Sequence, residues 1–158
     1  MTGPATPPPL KPGLEQVYAA TEFVVFCPQE TILRIGQALP SAIVDIFEFR
    51  KISQAAVVTA WNPFSEELPL VQNETRMVGL KAQLADIGVC WLPAEGRDPS
   101  GQWAAEPSLF LLGASDELLD QLMQSFEQYA VVKVKPNSPP ILGFHPRVQR
   151  APPPYEIP

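Results

Sequence analysis

The sequence is poor in the residues that most often carry nucleophilic or metal chemistry. It contains one histidine, His145, and two cysteines, Cys27 and Cys90, which form no C-x-x-C pair. A disulfide framework and a zinc site are therefore not expected, and the apolar runs around both thiols predict that they are buried. Because the histidine lies in a proline-rich segment, we expect no ordered Ser/His or Cys/His pair and assign no catalytic residue. The carboxylate spacing matches no recognised calcium loop, so no metal or cofactor is expected.

Neither a long apolar segment nor a secretion leader is expected from the sequence. No apolar stretch reaches the length needed to cross a bilayer. The opening Met1-Thr2-Gly3-Pro4 lacks the basic and apolar regions of a signal peptide. We therefore expect a cytoplasmic protein that does not contact a membrane.

Charge is scarce and unevenly distributed along the chain. Charged residues make up 18% of the sequence, and the net charge is −6. Residues 1–132 carry seven Lys/Arg against sixteen Asp/Glu, whereas residues 133–158 carry four against one. An acidic surface repels phosphate groups, so a nucleic-acid partner is not expected. The basic end could fold onto the acidic body or meet an acidic partner, but a solvated tail is the simpler interpretation.

Proline is abundant and concentrated at both ends. Of the 20 prolines, five lie in residues 1–12 and eight in residues 136–158. Such segments cannot form backbone ladders or bury much surface, so we expect extended ends. The 46% apolar share is sufficient for one core. We therefore predict a flexible proline-rich tail over 1–13, a single α+β domain over 14–135 and an extended proline-rich tail over 136–158.

Apolar periodicity within this body predicts an α+β fold. We expect a single mixed sheet of about five to six strands with three helices, in the order β-α-β-β-α-β-β-α-β. The predicted strands lie at 21–27, 43–49, 55–61, 89–93, 107–112 and 130–134. The predicted helices lie at 28–39, 69–87 and from 116 onward, the last capped by Ser115. Residues 98–101 predict a type I turn at the tip of a long hairpin, and the apolar run 108–112 predicts a central strand.

Asn73 is the strongest local oddity, because helical spacing places it within an otherwise apolar stripe of the long helix. A buried amide without partners costs about 1–3 kcal/mol, so we expect Asn73 to be hydrogen-bonded. Two alternatives remain open from the sequence. The amide could tie the helix start to the loop after Asn62-Pro63, or it could face a ligand.

Arg76 lies one turn further on, at the edge of the same stripe. We predict an ion pair with Glu106, and an anion site that uses Arg76 is the alternative. Glu95 and Arg97 lie near the hairpin tip, where loop charges are usually solvated. If the tip folded over the helix start, these charges would join Arg76 and Glu106 in one cleft. The candidate ligand-binding residues are therefore Asn62, Asn73, Arg76, Glu95, Arg97 and Glu106.

Two aromatic and proline-rich features are weaker signals. Trp61 and Trp103 flank polar loops and are predicted to pack in the core or at its rim. The strings at 7–12 and 152–155 look like polyproline ligands for aromatic grooves, although short strings of this kind arise easily in proline-rich tails.

Several motifs over residues 17–132 together resemble the uncharacterised bacterial family known as domain of unknown function 3293. They are Tyr18-x-x-Thr21-x-Phe23, Thr59-Ala60-Trp61-Asn62-Pro63, Asn73-x-x-Arg76-x-x-x-Leu80, Gly96-x-Asp98, Glu106-Pro107-Ser108 with the run to Gly113, and Phe126-x-Gln128-x-Ala130. The chain departs from the pattern at Glu127, where the family leads us to expect glycine. The resemblance implies a bacterial cytosolic protein and assigns no activity. It marks six polar positions as matching the family: Thr59, Asn62, Asn73, Arg76, Glu106 and Gln128.

Three functional hypotheses are compatible with the sequence. The first is a small non-enzymatic binding or regulatory module that acts on a protein partner or a second copy of the chain. The second is a binder of a small anionic ligand, or an enzyme, with a cleft at Asn62, Asn73, Arg76 and Glu106. The third is an acidic effector or anti-defence protein that mimics nucleic acid through the acidic helix after Ser115.

Overall fold

The computed structural model describes residues 6–150, and within this range the chain forms four α-helices and seven β-strands. The helices are α1 (Leu14–Ala20), α2 (Ser41–Arg50), α3 (Leu70–Ile87) and α4 (Asp116–Ser125). The strands are β1 (Glu22–Phe26), β2 (Glu30–Leu33), β3 (Ala55–Val58), β4 (Trp91–Arg97), β5 (Glu106–Leu111), β6 (Ala130–Val134) and β7 (Ile141–Phe144). None of the helices in the described range is long and apolar enough to cross a membrane.

All seven strands form one sheet in the order β2-β1-β4-β5-β3-β6-β7. Every neighbouring pair is antiparallel, so the predicted mixed sheet is wrong, as are the counts of five to six strands and three helices. The α+β class is confirmed. The predicted hairpin of β4 and β5 is present, and β5 lies in the middle of the sheet, as its nearly continuous apolar run indicates.

Two segments adopt the opposite structure from the one predicted. Residues 28–39 were expected to form a helix beginning at Pro28, but Glu30–Leu33 pairs with β1 as a hairpin strand rich in β-branched side chains. Residues 43–49 were expected to form a strand, but they lie within α2. Ile43 and Phe47 are buried four residues apart while Phe49 is 87% exposed, so burial follows the helical period.

Ordered structure continues beyond the predicted domain end at residue 135. Strand β7 pairs with β6 inside the segment that was expected to be an extended tail. His145 is buried, and its backbone N–H donates to the carbonyl of Tyr129 at 2.8 Å. Near the other end, the buried Leu10 donates its N–H to the carbonyl of Gln149 at 2.9 Å. The remainder of the predicted tails, residues 1–5 and 151–158 with the 152–155 proline string, lies outside the described residues.

The sheet separates two hydrophobic layers. On one face, α3 and α4 pack against the sheet through Met77, Leu80, Leu84, Leu119, Leu122 and Met123. On the other face, α2 packs Ile43 and Phe47 against a cluster that includes Phe110, Val57 and Val132. Gly96, Glu106 and Ser108 also lie on this second face by register. Of the two cysteines predicted to be buried, Cys27 is half-buried and Cys90 is exposed.

Glu127, the departure from the family pattern, adopts the left-handed backbone that glycine would favour, with φ of 54°. Its half-exposed carboxylate accepts a hydrogen bond from Arg76 at 3.4 Å. An exposed pair of this kind contributes at most about 1 kcal/mol, and the left-handed backbone of a non-glycine residue costs about 1–2 kcal/mol. The two effects are therefore comparable, and the strain is the larger.

We predict that Glu127→Gly leaves the free energy of unfolding unchanged or raises it by up to about 1 kcal/mol, since it removes both the strain and the ion pair. Glu127→Ala is the matched control, because it removes the ion pair and keeps the strained backbone. We expect the alanine variant to be less stable than the glycine variant in urea unfolding followed by circular dichroism. Equal stability of the two variants would contradict the strain argument.

Candidate functional site

The turn after β3 is held by a pair of asparagine side chains. Asn62 has a left-handed backbone with φ of 47°, and its N–H donates to Asn73 Oδ1 at 2.8 Å. In return, Asn73 Nδ2 donates to Asn62 Oδ1 at 2.7 Å and to the carbonyl of Leu68 at 3.3 Å. Asn73 is only 2% exposed. Asn73 therefore ties the start of α3 to the loop after Asn62-Pro63, which is the first of the two alternatives left open by the sequence.

Asn62 also connects this turn to the sheet. Its Oδ1 accepts from the N–H of Leu68 at 3.1 Å, and its Nδ2 donates to Glu106 Oε1 at 3.2 Å. Glu106 begins β5 and is largely withdrawn from water. Burial raises the pKa of its carboxyl group, and the hydrogen bond from Asn62 opposes this effect only in part.

The predicted ion pair between Arg76 and Glu106 does not form. Arg76 Nε donates to the carbonyl of Ala60 at 2.7 Å, and the two terminal nitrogens bond to the Phe126 carbonyl and to the Glu127 carboxylate. The edge of the α3 stripe that carries Arg76 thus faces the end of α4 and not the start of β5. The guanidinium joins the β3–α3 loop to the end of α4, and it takes no part in binding Glu106.

Glu95 and Arg97 form a separate cluster on the other face of the sheet. Strand register pairs Gly96 with Phe23 and Glu106, so the residues on either side of Gly96 point away from that face. Arg97 Nε donates to Glu95 at 2.6 Å, and its terminal nitrogens donate to Glu30 at 2.8 and 3.1 Å. The Arg97 guanidinium lowers the pKa of Glu30. Of the six candidate residues, the structure brings together Asn62, Asn73 and Glu106, and it leaves Arg76, Glu95 and Arg97 elsewhere.

A partly enclosed cavity of about 770 Å³ lies beside Glu106. Its floor is formed by the sheet, with residues contributed by β1, β3, β4, β5, β6 and β7. Its walls are α1, the loop between β3 and α3, and residues 102–105 of the β4–β5 tip. Trp61 and Trp103 are half-buried and line this cavity. Trp61 also packs against the hydrophobic cluster of α3 and α4, as the prediction of core or rim packing has it.

Hydroxyl groups near Glu106 are already committed to the protein. Tyr18 of α1 shares a hydrogen bond of 3.0 Å with Ser65 Oγ across the cavity wall. Burial raises the pKa of Tyr18 to about 12, so its hydroxyl stays protonated at neutral pH. Thr59 donates to the carbonyl of Pro107 at 2.7 Å, and Ser108 donates to the carbonyl of Glu106 at 3.2 Å.

The charged residues among the described lining are both acidic: Glu67 and Glu106. No lysine, arginine or histidine lines the cavity within residues 6–150. The electrostatic potential inside is therefore negative wherever these carboxylates are ionised. Tyr18, Ser65 and Trp103 were not among the candidate residues. Tyr18 had one signal in the sequence, its place in the Tyr18-x-x-Thr21-x-Phe23 motif, because all three motif residues line the cavity.

The fold and the site define an α+β protein with an antiparallel sheet and an acidic, aromatic-walled cavity at one end. Residues 58–131 match the family model described as "Protein of unknown function (DUF3293)", which confirms the resemblance carried by the motifs. No curated protein and no solved structure matches the chain. Five of the six polar positions that fit the family pattern line the cavity: Thr59, Asn62, Asn73, Glu106 and Gln128.

We predict that Asn73→Ala lowers the free energy of unfolding by about 2–3 kcal/mol, because it leaves the Asn62 N–H and the Leu68 carbonyl without their partner. The exposed neighbour Gln72 supplies the control, since Gln72→Ala should change stability by no more than about 0.5 kcal/mol. Urea unfolding of both variants measures the difference. A loss of less than 0.5 kcal/mol for the alanine variant at 73 would show that the amide pair does not support the turn.

We predict that Glu106→Gln raises the melting temperature at pH 7–8. The folded-state pKa of Glu106 lies above its ordinary value of 4.5, so the protonated carboxyl favours the fold and ionisation destabilises it. Stability contributed by the protonated form is present below pH 4.5 and is lost as the pH rises through the raised pKa. Glutamine keeps an acceptor for Asn62 and carries no charge.

Differential scanning calorimetry from pH 4 to pH 8 should therefore show a gain in the variant that shrinks as the pH falls. Glu67→Gln, at an exposed carboxylate of the same cavity, is the control and should change stability by less than about 0.5 kcal/mol at pH 7. A variant at 106 that is less stable than the parent at pH 7–8 would contradict the prediction.

Proposed function

We propose that the chain is a small-molecule-binding protein and that its binding site is the cavity beside Glu106. The observation that carries the proposal is the convergence of Asn62, Asn73 and Glu106 on an aromatic-walled cavity of about 770 Å³. Ligand sites are usually clefts of about 300–1,000 Å³ with mostly apolar walls and a few placed polar groups. The size and the composition of this cavity both fit that description.

The state of Glu106 supports a functional role for this carboxylate. Its burial penalises the ionised form, and one amide hydrogen bond from Asn62 offsets the penalty only in part. A glutamine would satisfy Asn62 without that penalty. Carboxylates whose burial in a cleft lowers the stability of the fold are enriched at binding and catalytic sites.

The lining favours a different ligand from the anionic one that the sequence suggested. Arg76 is engaged by Ala60, Phe126 and Glu127, and the described lining carries carboxylates and no basic side chain. A neutral or cationic molecule is therefore better matched to the site than an anion. Binding is proposed in preference to catalysis, since the described hydroxyls that line the cavity are bonded to backbone carbonyls or to each other and not to a base.

The protein-interaction and acidic-effector hypotheses stay predictions. Val71 and Val78 are exposed on the outer side of α3, but nothing on that surface defines a partner. On the acidic helix, Asp116 accepts hydrogen bonds from Lys133 at 2.9 Å and from Gln54 at 3.2 Å. Part of the acidic surface is thus already neutralised within the protein.

The proposal is tested by screening a fragment library against the full chain with ligand-observed NMR and thermal shift. Ser108 is buried in the cavity floor, so Ser108→Leu should fill the space and weaken cavity ligands by about tenfold or more. Val78→Leu adds bulk on the exposed outer side of α3, away from the cavity, and should leave the same ligands bound.

If the Ser108 variant fails to fold, Ala105→Trp fills the cavity from an exposed lining position and serves in its place. Fragments that bind the parent and the Val78 variant but not the filled variant support the proposal. A screen with no hits, or hits that bind the filled variant equally well, would overturn it.

A further inference from the structure

Glu106 has acceptor capacity that the described protein leaves unused. An ionised carboxylate offers about four lone-pair directions on two oxygens. Within residues 6–150 the donor found for it is Asn62 Nδ2, which bonds Oε1 at 3.2 Å. The carboxylate lines the cavity, so its remaining acceptor sites are available to whatever occupies that space.

Neighbouring side chains do not supply the missing donors. Thr59 and Ser108 direct their hydroxyl protons to backbone carbonyls. Tyr18 and Ser65 are hydrogen-bonded to each other and not to Glu106, and Asn62 supplies the single bond from its Nδ2. Since the protein donates little toward Glu106, a molecule that satisfies this site must itself carry hydrogen-bond donors.

Charge and shape restrict the class of ligand further. Glu67 is a second carboxylate in the lining, and the lining within the described part of the chain has no positive side chain. Four aromatic residues, Tyr18, Phe23, Trp61 and Trp103, face the same space. Aromatic faces favour planar molecules and cations through stacking and cation–π contacts.

From these observations, and resting on the proposed function, we infer that the cavity binds a planar organic cation with paired N–H donors, such as an amidinium, guanidinium or protonated amino-heterocycle, through the Glu106 carboxylate. Two parallel N–H donors match the two oxygens of a carboxylate, as in arginine–carboxylate pairs. The aromatic walls would hold the planar body of such a ligand, and the acidic lining would discriminate against anions of the same shape.

Three probes of one shape test the inference: benzamidine, benzamide and benzoate, which differ in charge and donors. Binding to the full chain is followed by two-dimensional NMR, with the tryptophan indole N–H signals as reporters. Trp61 and Trp103 line the cavity, whereas Trp91 does not and is an internal reference. Benzamidine should shift the first two signals and bind at least about tenfold more tightly than benzamide, the gain expected of a charge-assisted pair, and benzoate should not bind.

The matched variants are Glu106→Gln, which removes a lining carboxylate, and Glu74→Gln, which removes an exposed carboxylate outside the lining. The first should weaken benzamidine about tenfold or more, and the second should change its affinity by about twofold at most. The inference is overturned if benzoate binds as tightly as benzamidine, or if the 106 variant binds benzamidine like the parent. It is also overturned if benzamidine at about 20 mM, near the limit for useful fragment affinities, shifts neither the Trp61 nor the Trp103 signal.

These results separate the inference from the proposed function. Neutral fragments that are lost in the Ser108-filled variant but bind independently of Glu106 would overturn the inference and leave the proposed function standing. If neither benzamidine nor any fragment bound the parent chain, both the inference and the proposed function would be overturned.

Discussion

The reciprocal hydrogen bonds between Asn62 and Asn73 are the constraint on which the site depends. Asn62 lies in the loop that follows β3 and has a left-handed backbone conformation, which Phe64 and Ser65 share. A run of such residues costs free energy unless surrounding contacts impose it. The buried amide of Asn73 supplies those contacts and so determines the direction in which the chain enters α3.

Once this turn is in place, the other parts of the site follow from it. Asn62 directs its remaining donor to Glu106 on the central strand, and Ser65 reaches Tyr18 on α1. Arg76, one turn along α3, joins the same loop to the end of α4. Three helices and the sheet therefore meet at one loop, and the space left between α1 and the sheet end is the cavity.

Much of this arrangement could be predicted where the signal is local. Helix α3 has a long apolar stripe and ends at Gly88 in a left-handed conformation with φ of 76°, and Asn73 interrupts the stripe visibly. Ser115 caps α4 through a hydrogen bond from the Leu118 N–H, as the residue pattern indicates. The secondary structure of segments of about ten residues was harder to predict. Alternation and helical spacing coincide at Ile43 and Phe47, so the pattern did not distinguish strand from helix in α2.

Long-range pairing was the part that the sequence could not specify. Which carboxylate meets Arg76 depends on the strand order, and in the observed order the edge of α3 faces α4 while Glu106 faces the opposite layer. Tyr18 lies 47 residues before its partner Ser65, with no periodic pattern to join them. The family motifs contained this information indirectly, since Tyr18, Asn62, Asn73 and Glu106 all belong to them and all line one cavity.

The energetic character of Glu106 is the reason to regard that cavity as more than a packing defect. Close packing stabilises a fold, so a partly enclosed cavity of this size with a carboxylate in its floor costs stability in two ways, through lost contacts and through desolvated charge. A leucine at 108 or a glutamine at 106 would reduce one cost or the other with a single substitution. A fold optimised only for stability would have neither feature. A fold that replaces the lost hydration of this carboxylate with a ligand's N–H donors needs both, because the cavity admits the ligand and the carboxylate retains it.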